Sequence, residues 1–192
     1  MTTRALFPTH FYEGRIDDTA LLGDLAGASR DLAVQDRAGI GWSKAHAYRG
    51  YTSYASLDDL PRRSPPFADL VKLLDRHVAT FAEDCGFDLS RRLKLDSLWV
   101  NVLKPGGTHS GHIHPHSVVS GTCYVAVPPG SGALKLEDPR LPMMMAAPAR
   151  ADTFVYAEPA EGSVYLWESW LRHEVMPNTA KTERISISFN YR

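Results

Sequence analysis

The first part of the chain spaces its hydrophobic residues as a helix does. Asp17 or Asp18 can cap a first helix, which we expect to break near Gly27. Its apolar positions are Leu21, Leu22, Leu25, Leu32 and Val34. The later stretch 41–61 mixes aromatic and polar side chains without a regular period, and the prediction there is a structured loop.

A second helix is predicted from Ser64-Pro65-Pro66 onward. Its apolar residues recur at three- and four-residue intervals, which places them on one face. They are Phe67, Leu70, Val71, Leu74, Val78, Phe81 and Cys85. Gly86 directly follows this run and is suited to end the helix, because glycine readily adopts the left-handed conformation found at helix C-termini.

From about Leu93 the pattern changes to short β-rich runs separated by Gly and Pro turns. Seven runs follow, at 93–103, 118–127, 132–138, 153–158, 162–169, 173–177 and 184–191. So many short strands in one segment predict a β-sandwich or jelly roll. No linker is visible, so we expect a single domain over 1–192, with a helical and loop region at 1–92 supporting a β core at 93–192.

The last run alternates without interruption between polar and apolar residues, as a strand with two different faces does. The polar face carries Arg184, Ser186, Ser188 and Asn190, and the apolar face Ile185, Ile187, Phe189 and Tyr191. Periodicity alone favours solvent beside the polar face. The alternative is a ligand cavity, as in small barrels that enclose a ligand.

Net charge, apolar runs and cysteine positions indicate which binding partners and which cellular location to expect. The net charge of −1 gives no reason to expect nucleic-acid or membrane-surface binding. No apolar run is long enough to span a bilayer, and the N-terminus lacks the apolar segment of a signal peptide. Cys85 and Cys123 fit no metal or disulfide spacing, so we expect reduced, packed thiols in a cytoplasmic protein. We interpret the isolated His10, His46 and His77 as structural or surface residues.

The candidate chemistry lies in a histidine cluster and two distant residues. The cluster consists of His109, His112, His114 and His116. On an extended strand His112 and His114 point to the same face, whereas Pro115 ends or kinks that strand. Together with the imidazole of His173 on a distant strand, this pair provides the ligands of a divalent metal. Arg184 can hold a carboxylate beside that metal. Spacing alone leaves a chance cluster equally open.

These residues resemble the signature of the 2-oxoglutarate- and Fe(II)-dependent oxygenases over roughly residues 93–192. That superfamily has a His-x-acid pair at a strand end, a distal His several strands later and an Arg one strand further. His112, His173 and Arg184 match these three positions. The Arg-x-Ser that Arg184 forms with Ser186 also resembles the co-substrate anchor of many members.

Nearly the whole chain is similar to a bacterial group of uncharacterised members of this superfamily. The shared segments are Gly50–Tyr54, His112–Pro115, Ser120-Gly121 with Tyr124, and Arg184–Ser186 with Asn190. The resemblance implies a mainly β fold, the double-stranded β-helix or jelly roll, supported by N-terminal helices.

The same resemblance implies an Fe(II)- and 2-oxoglutarate-dependent dioxygenase that hydroxylates a small molecule or a protein side chain with O₂. The implied iron ligands are His112, His114 and His173. Arg184 is expected to clamp 2-oxoglutarate with help from the Ser186 hydroxyl. Asn101 and Tyr124 are further candidates for lining the co-substrate pocket.

Position 114 departs from the superfamily pattern, because His stands where Asp or Glu is usual. Three neutral imidazoles leave more positive charge on the metal and also suit Zn²⁺, so the identity of the metal stays open. If His114 turns away from the metal, another ligand must replace it. The candidates for that role are His116, Glu137 and Asp138.

Two other functions are compatible with the sequence. One is a cupin-like enzyme that uses the three histidines for Zn²⁺ or Fe²⁺ without 2-oxoglutarate, and the other is a non-enzymatic ligand-binding jelly roll. The oligomeric state is not readable, although the Met-rich segment 141–152 can serve as an apolar lid or as a homodimer interface.

Overall fold

The strands form two antiparallel sheets within the described residues, which are 2–140, 146, 148 and 153–192 of the computed structural model. The strands are β1 Phe11–Arg15, β2 Gly50–Thr52, β3 Leu95–Leu103, β4 His109–His112, β5 Val119–Ala126, β6 Leu134–Glu137, β7 Phe154–Ala157, β8 Ser163–Glu168, β9 His173–Val175 and β10 Arg184–Tyr191. One sheet has the order β1-β8-β5-β10-β3-β2, and the other β4-β9-β6-β7. All seven predicted runs contain a strand. The three adjacent methionines lie outside the described residues.

The helices of the described residues all precede β3. They are α1 Thr19–Gln35, α2 Arg37–Ala45, α3 Leu60–Arg63 and α4 Pro65–Asp84. None of these helices combines the length and apolarity needed to cross a membrane. Asp18 caps α1, because its side chain accepts a hydrogen bond from Leu21 N at 3.0 Å. The predicted break at Gly27 is wrong, since burial of Leu25 against the core outweighs the roughly 1 kcal/mol cost of a helical glycine.

The predicted second helix is confirmed as α4, and it shares a hydrophobic core with the larger sheet. Its apolar face is buried through Phe67, Leu70, Leu74, Val78 and Phe81. The same core contains the apolar face of β10, formed by Ile185, Ile187, Phe189 and Tyr191. Gly86 follows the helix with a φ of 70°, as a helix-ending glycine does.

The predicted loop at 41–61 is wrong in part, because this stretch contains the end of α2, strand β2 and the start of α3. Tertiary hydrogen bonds fix these elements. Asp36 caps α2 by accepting from Gly39 N at 3.1 Å, and it also accepts from Tyr51 Oη at 2.9 Å and Ser56 Oγ at 2.5 Å. Elements this short show no sequence period.

An edge strand, β1, was not predicted from the sequence. Its five residues read Phe-Tyr-Glu-Gly-Arg, which is too short and too mixed for a clear alternation. Its strand conformation comes from pairing with β8, in a register that runs from Phe11 opposite Trp167 to Arg15 opposite Ser163. β1 therefore depends on a partner more than 140 positions away in the sequence, as the register shows.

Cys85 and Cys123 are free thiols, as predicted. Burial raises the pKa of Cys85 to about 11, with smaller contributions from the negative charges of Glu168 and Asp84. Burial alone raises the pKa of Cys123 to about 12. Both thiols are therefore protonated at neutral pH when no cation is bound.

Replacing Leu74 by Ala tests the packing of α4 on the larger sheet. Leu74 is fully buried, so we expect the free energy of unfolding to fall by about 2–5 kcal/mol through lost burial and an unfilled cavity. Urea unfolding followed by circular dichroism measures this change. Lys72→Ala, on the exposed side of the same helix, is the control and should stay within about 0.5 kcal/mol. Equal effects in both variants would contradict this packing.

Candidate active site

A cavity of about 850 Å³ lies between the two sheets. The polar face of β10 lines it, with Arg184, Ser186, Ser188 and Asn190 all contributing. The interpretation of this face as solvent-exposed is therefore wrong, and the cavity alternative is correct. Periodicity cannot separate the two cases, because both give the same alternation along the strand.

Three of the histidines singled out in the sequence meet at this cavity. β4 ends at His112, which lies opposite His173 of β9 in the strand register. His114 lies beyond the end of β4, where its backbone N donates to Ser169 O at 3.0 Å. The ligand nitrogens of the three rings lie within 4.8 Å of one another. Turn geometry rather than strand alternation thus brings His114 to the other two.

Hydrogen bonds fix the tautomers of two of these rings. His112 Nδ1 lies 2.7 Å from Ser110 O, and His173 Nδ1 lies 2.9 Å from Leu171 O. A carbonyl oxygen only accepts, so each Nδ1 carries the proton and donates it. In the neutral ring the Nε2 lone pair is then free for a metal, an arrangement common among metal-binding histidines.

The spacing of the imidazole nitrogens fits a shared metal. His114 Nε2 lies 3.3 Å from His173 Nε2. Two nitrogens bound to one ion at ~2.1 Å with ordinary coordination angles lie about 3.0–3.4 Å apart. The donor set therefore suits a first-row divalent metal without rearrangement of this pair.

Burial keeps two of the three rings neutral. It lowers the pKa of His114 to about 4 and that of His173 to about 3, and in each case the charge of His112 lowers the pKa further. A proton therefore does not compete for these nitrogens at neutral pH. Neutral imidazole is the form that binds metals.

The residues considered as replacements for His114 lie elsewhere. His116 is exposed and has a left-handed φ of 73°. Glu137 forms an ion pair with Arg172 at 3.0 Å, and Asp138 accepts hydrogen bonds from Arg140. Within the part of the chain that the structure describes, no acid belongs to the three-histidine group.

Arg184 is a buried cation with few partners. Only 1% of the residue is exposed, and its Nε has no hydrogen-bond acceptor. Nη1 makes only long contacts of 3.5 Å to the carbonyl oxygens of Ser131 and Gly132. The guanidinium also lies over the Tyr124 ring, 5.5 Å from its centroid. A buried guanidinium with free donors that faces a cavity is suited to a carboxylate.

Three other predicted residues line the same cavity as this guanidinium. Ser186 of β10 lies opposite Asn101 of β3 and Tyr124 of β5. Asn101 accepts from Thr52 Oγ1 at 2.9 Å and donates to Ser188 Oγ at 3.1 Å, so its amide is already hydrogen-bonded. All three predicted residues line the cavity.

A hydrogen-bonded pair, Tyr48 and His109, lies near Arg184. Tyr48 Oη lies 2.7 Å from His109 Nε2. Burial, then the charge of Arg184 and then that of His112 lower the pKa of His109 to about 3, while burial raises the pKa of Tyr48. Both groups are therefore neutral at pH 7. His109 was visible as a member of the cluster, but nothing in the sequence connects it with Tyr48.

A family comparison agrees with this geometry. Residues 97–190 match the family described as "Putative 2OG-Fe(II) oxygenase". The chain belongs to the 2-oxoglutarate- and Fe(II)-dependent oxygenases. It is therefore an enzyme whose cofactor is Fe(II) and whose co-substrate is 2-oxoglutarate, used together with O₂. This membership favours the oxygenase over the cupin-like and non-enzymatic alternatives.

Solved structures of similar fold are distant in sequence. A prolyl-4-hydroxylase from Pseudomonas putida is 18% identical, with 96% of this oxygenase and 93% of that chain covered at a TM-score of 0.66. HygX from Streptomyces hygroscopicus, with nickel and 2-oxoglutarate bound, is 16% identical, with coverage of 95% and 82% and a TM-score of 0.64. No curated protein matches the sequence. The structural matches confirm the double-stranded β-helix.

One more polar group of this oxygenase faces the cavity without a partner. Trp167 Nε1 is buried and has no hydrogen-bond acceptor among the described residues. Its ring centroid lies 4.5 Å from that of His173, and the residue lines the cavity. A buried indole N–H without an acceptor lowers the stability of the folded protein unless a ligand accepts its hydrogen bond.

Proposed function

We propose that the protein is a hydroxylase in which His112, His114 and His173 hold Fe(II) and Arg184 binds 2-oxoglutarate. One observation carries the proposal. A buried guanidinium with free donors faces the same cavity as three convergent imidazoles. A co-substrate with a metal-chelating end and a distal carboxylate satisfies both groups at once.

Backbone groups orient the histidine rings of the site in the absence of a bound ligand. The carbonyls of Ser110 and Leu171 orient two rings and keep their protons on Nδ1. When bound, Fe(II) supplies the redox chemistry by which O₂ oxidises 2-oxoglutarate and the substrate. His173, Trp167 and Arg184 are buried in the cavity wall, which limits the access of bulk water to this part of the site.

The hydrogen-bond donors of the cavity that lack partners are suited to the oxygen acceptors of 2-oxoglutarate. The Arg184 guanidinium can donate two parallel hydrogen bonds to the distal carboxylate, and the Ser186 hydroxyl can add a third. Tyr124 packs beneath the guanidinium and restricts its movement. The Trp167 N–H is a donor close to the metal ligands, suited to an oxygen of the chelating end.

The rim of the cavity favours a neutral or anionic substrate with a planar or apolar face. Trp42, Tyr54 and Trp99 form a row of aromatic contacts that ends at His114, with ring centroids 6.5, 5.3 and 5.8 Å apart in turn. None of the described residues that line the cavity is Asp or Glu. Such a rim can bind a small molecule or a protein side chain, but it offers no carboxylate to a cationic group.

Replacing Arg184 by Ala should weaken 2-oxoglutarate binding at least roughly 30-fold while leaving metal binding intact. Truncating one partner of a buried charge pair commonly costs about 2–5 kcal/mol. The measurement is an anaerobic titration of Fe(II)-loaded protein that follows the visible absorption band of a chelated 2-oxo acid. Arg49→Ala, which removes a cation from the rim, is the control and should titrate like wild type. Unchanged affinity in Arg184→Ala contradicts the role of Arg184.

Replacing His112 or His173 by Ala should abolish this absorption band, because two imidazoles cannot hold the ion firmly. His114→Ala should weaken the band, whereas His114→Asp should retain it, because a carboxylate is also an iron ligand. His116→Asn is the control, since His116 lies outside the group and Asn tolerates its left-handed backbone. A full band in His114→Ala would exclude His114 from the coordination of the metal. Stoichiometric metal binding without any band in wild type would instead favour the cupin-like function.

Replacing Trp167 by Phe should lower 2-oxoglutarate affinity about 10- to 150-fold while the protein stays folded. Phe preserves the aromatic contact with His173 but lacks the N–H donor, and a hydrogen bond to a charged acceptor is worth roughly 1.5–3 kcal/mol when partly compensated by water. The titration described for Arg184 measures the affinity, and thermal unfolding of the apo-protein shows whether the fold is kept. Wild-type affinity in this variant would mean that the indole N–H does not contact the co-substrate.

A further inference from the structure

Three potential metal ligands meet outside the active site. They are His10, which precedes β1, Cys85 at the end of α4, and Glu168, the last residue of β8. One ligand atom from each lies within 4.8 Å of the ligand atoms of the other two. All three residues are half-buried. Sequence spacing could not indicate this group, because its members are distributed over three distant elements.

The three side chains surround a common point without bonding to one another. Within the part of the chain that the structure describes, none of the three side chains forms a hydrogen bond or an ion pair. An imidazole, a thiol and a carboxyl group that converge without bonding to one another are suited to a shared cation. Ligand atoms that bind one tetrahedral ion at ~2.0–2.3 Å lie about 3.3–3.8 Å apart, so each pair would have to approach by at most about 1.5 Å.

This group is separate from the three-histidine site. Neighbouring side chains of a strand point to opposite faces of a sheet. Trp167 lines the cavity, so Glu168, the next residue of β8, points to the other face, where α4 packs. A cation bound there does not share ligands with the active-site metal.

We propose that His10, Cys85 and Glu168 form a second metal site, which binds a zinc-class divalent cation. A thiolate ligand favours Zn²⁺ or Co²⁺ over Mg²⁺ and Ca²⁺, and imidazole and carboxylate are also zinc ligands. Three protein ligands leave a fourth position for water. The proposal does not depend on the function proposed above.

The site joins the N-terminal segment to the body of the fold. β1 is an edge strand that pairs only with β8 within the described residues. A cation held by His10, Cys85 and Glu168 fixes the start of β1 and the end of α4 to β8. The site thus acts as a structural cross-link between these elements.

The test uses Co²⁺ as a spectroscopic probe and the full chain with His112→Ala and His173→Ala, so that the active site does not bind the probe. We expect one equivalent of Co²⁺ to bind, with the near-ultraviolet absorption of a thiolate–cobalt bond and the visible bands of tetrahedral Co²⁺. The three-histidine site cannot give the thiolate absorption, because it contains no sulfur. Reduction with a phosphine keeps Cys85 as a thiol without adding a competing chelator.

Three variants in this background identify the ligands. Cys85→Ser should abolish the thiolate absorption although Cys123 is still present, and His10→Ala and Glu168→Gln should each lower Co²⁺ affinity at least about 10-fold. Glu161→Gln, an exposed acid just before β8, is the control and should bind as the parent does. Zn²⁺ should raise the Tm of the parent and leave that of Cys85→Ser unchanged.

Two results would overturn the proposal. One is the absence of a thiolate–cobalt band in a parent protein that is folded by circular dichroism. The other is a band that persists in Cys85→Ser. Because Glu168→Gln keeps the thiol and the side-chain volume, it still tests the site if Cys85→Ser folds poorly. The parent protein lacks two ligands of the three-histidine site. Loss of 2-oxoglutarate binding in this parent therefore concerns that site alone and does not affect the test of the second site.

Discussion

A guanidinium removed from water requires an anion or a full set of hydrogen bonds, and Arg184 has neither within the described residues. The strand that carries it, β10, lies between β5 and β3 and is hydrogen-bonded to both. Its opposite face is packed against the helices through four fully buried side chains. The strand therefore cannot shift to expose the cation, and the cavity retains a fixed positive charge that only a bound anion neutralises.

The two sheets contribute different halves of the site. The smaller sheet provides His112 and His173 from neighbouring strands, and the turn after β4 adds His114. The larger sheet provides Arg184 with Ser186 beside it. The three-histidine group and the Arg184 guanidinium thus line one cavity. A ligand that bridges them needs a chelating end and a carboxylate at a distance, which is the chemistry of 2-oxoglutarate.

Histidine at position 114 leaves the three-histidine group without a carboxylate among the described residues. In the proposed site, three neutral donors would leave the whole charge of a divalent ion uncompensated by the protein, and Arg184 adds another positive charge. No Asp or Glu is present among the described residues of the cavity lining. The dianionic co-substrate is then the main source of negative charge. Binding of the metal and binding of 2-oxoglutarate should consequently reinforce each other.

The long helix α4, the seven β runs and the members of the three-histidine group could be predicted from the sequence, because each has a local period or a family motif. Three further points required the folded structure: whether the polar face of β10 meets solvent or a cavity, how Tyr48 pairs with His109, and that His10, Cys85 and Glu168 converge. Each depends on contacts between residues far apart in the chain, and such contacts leave no period in the local sequence.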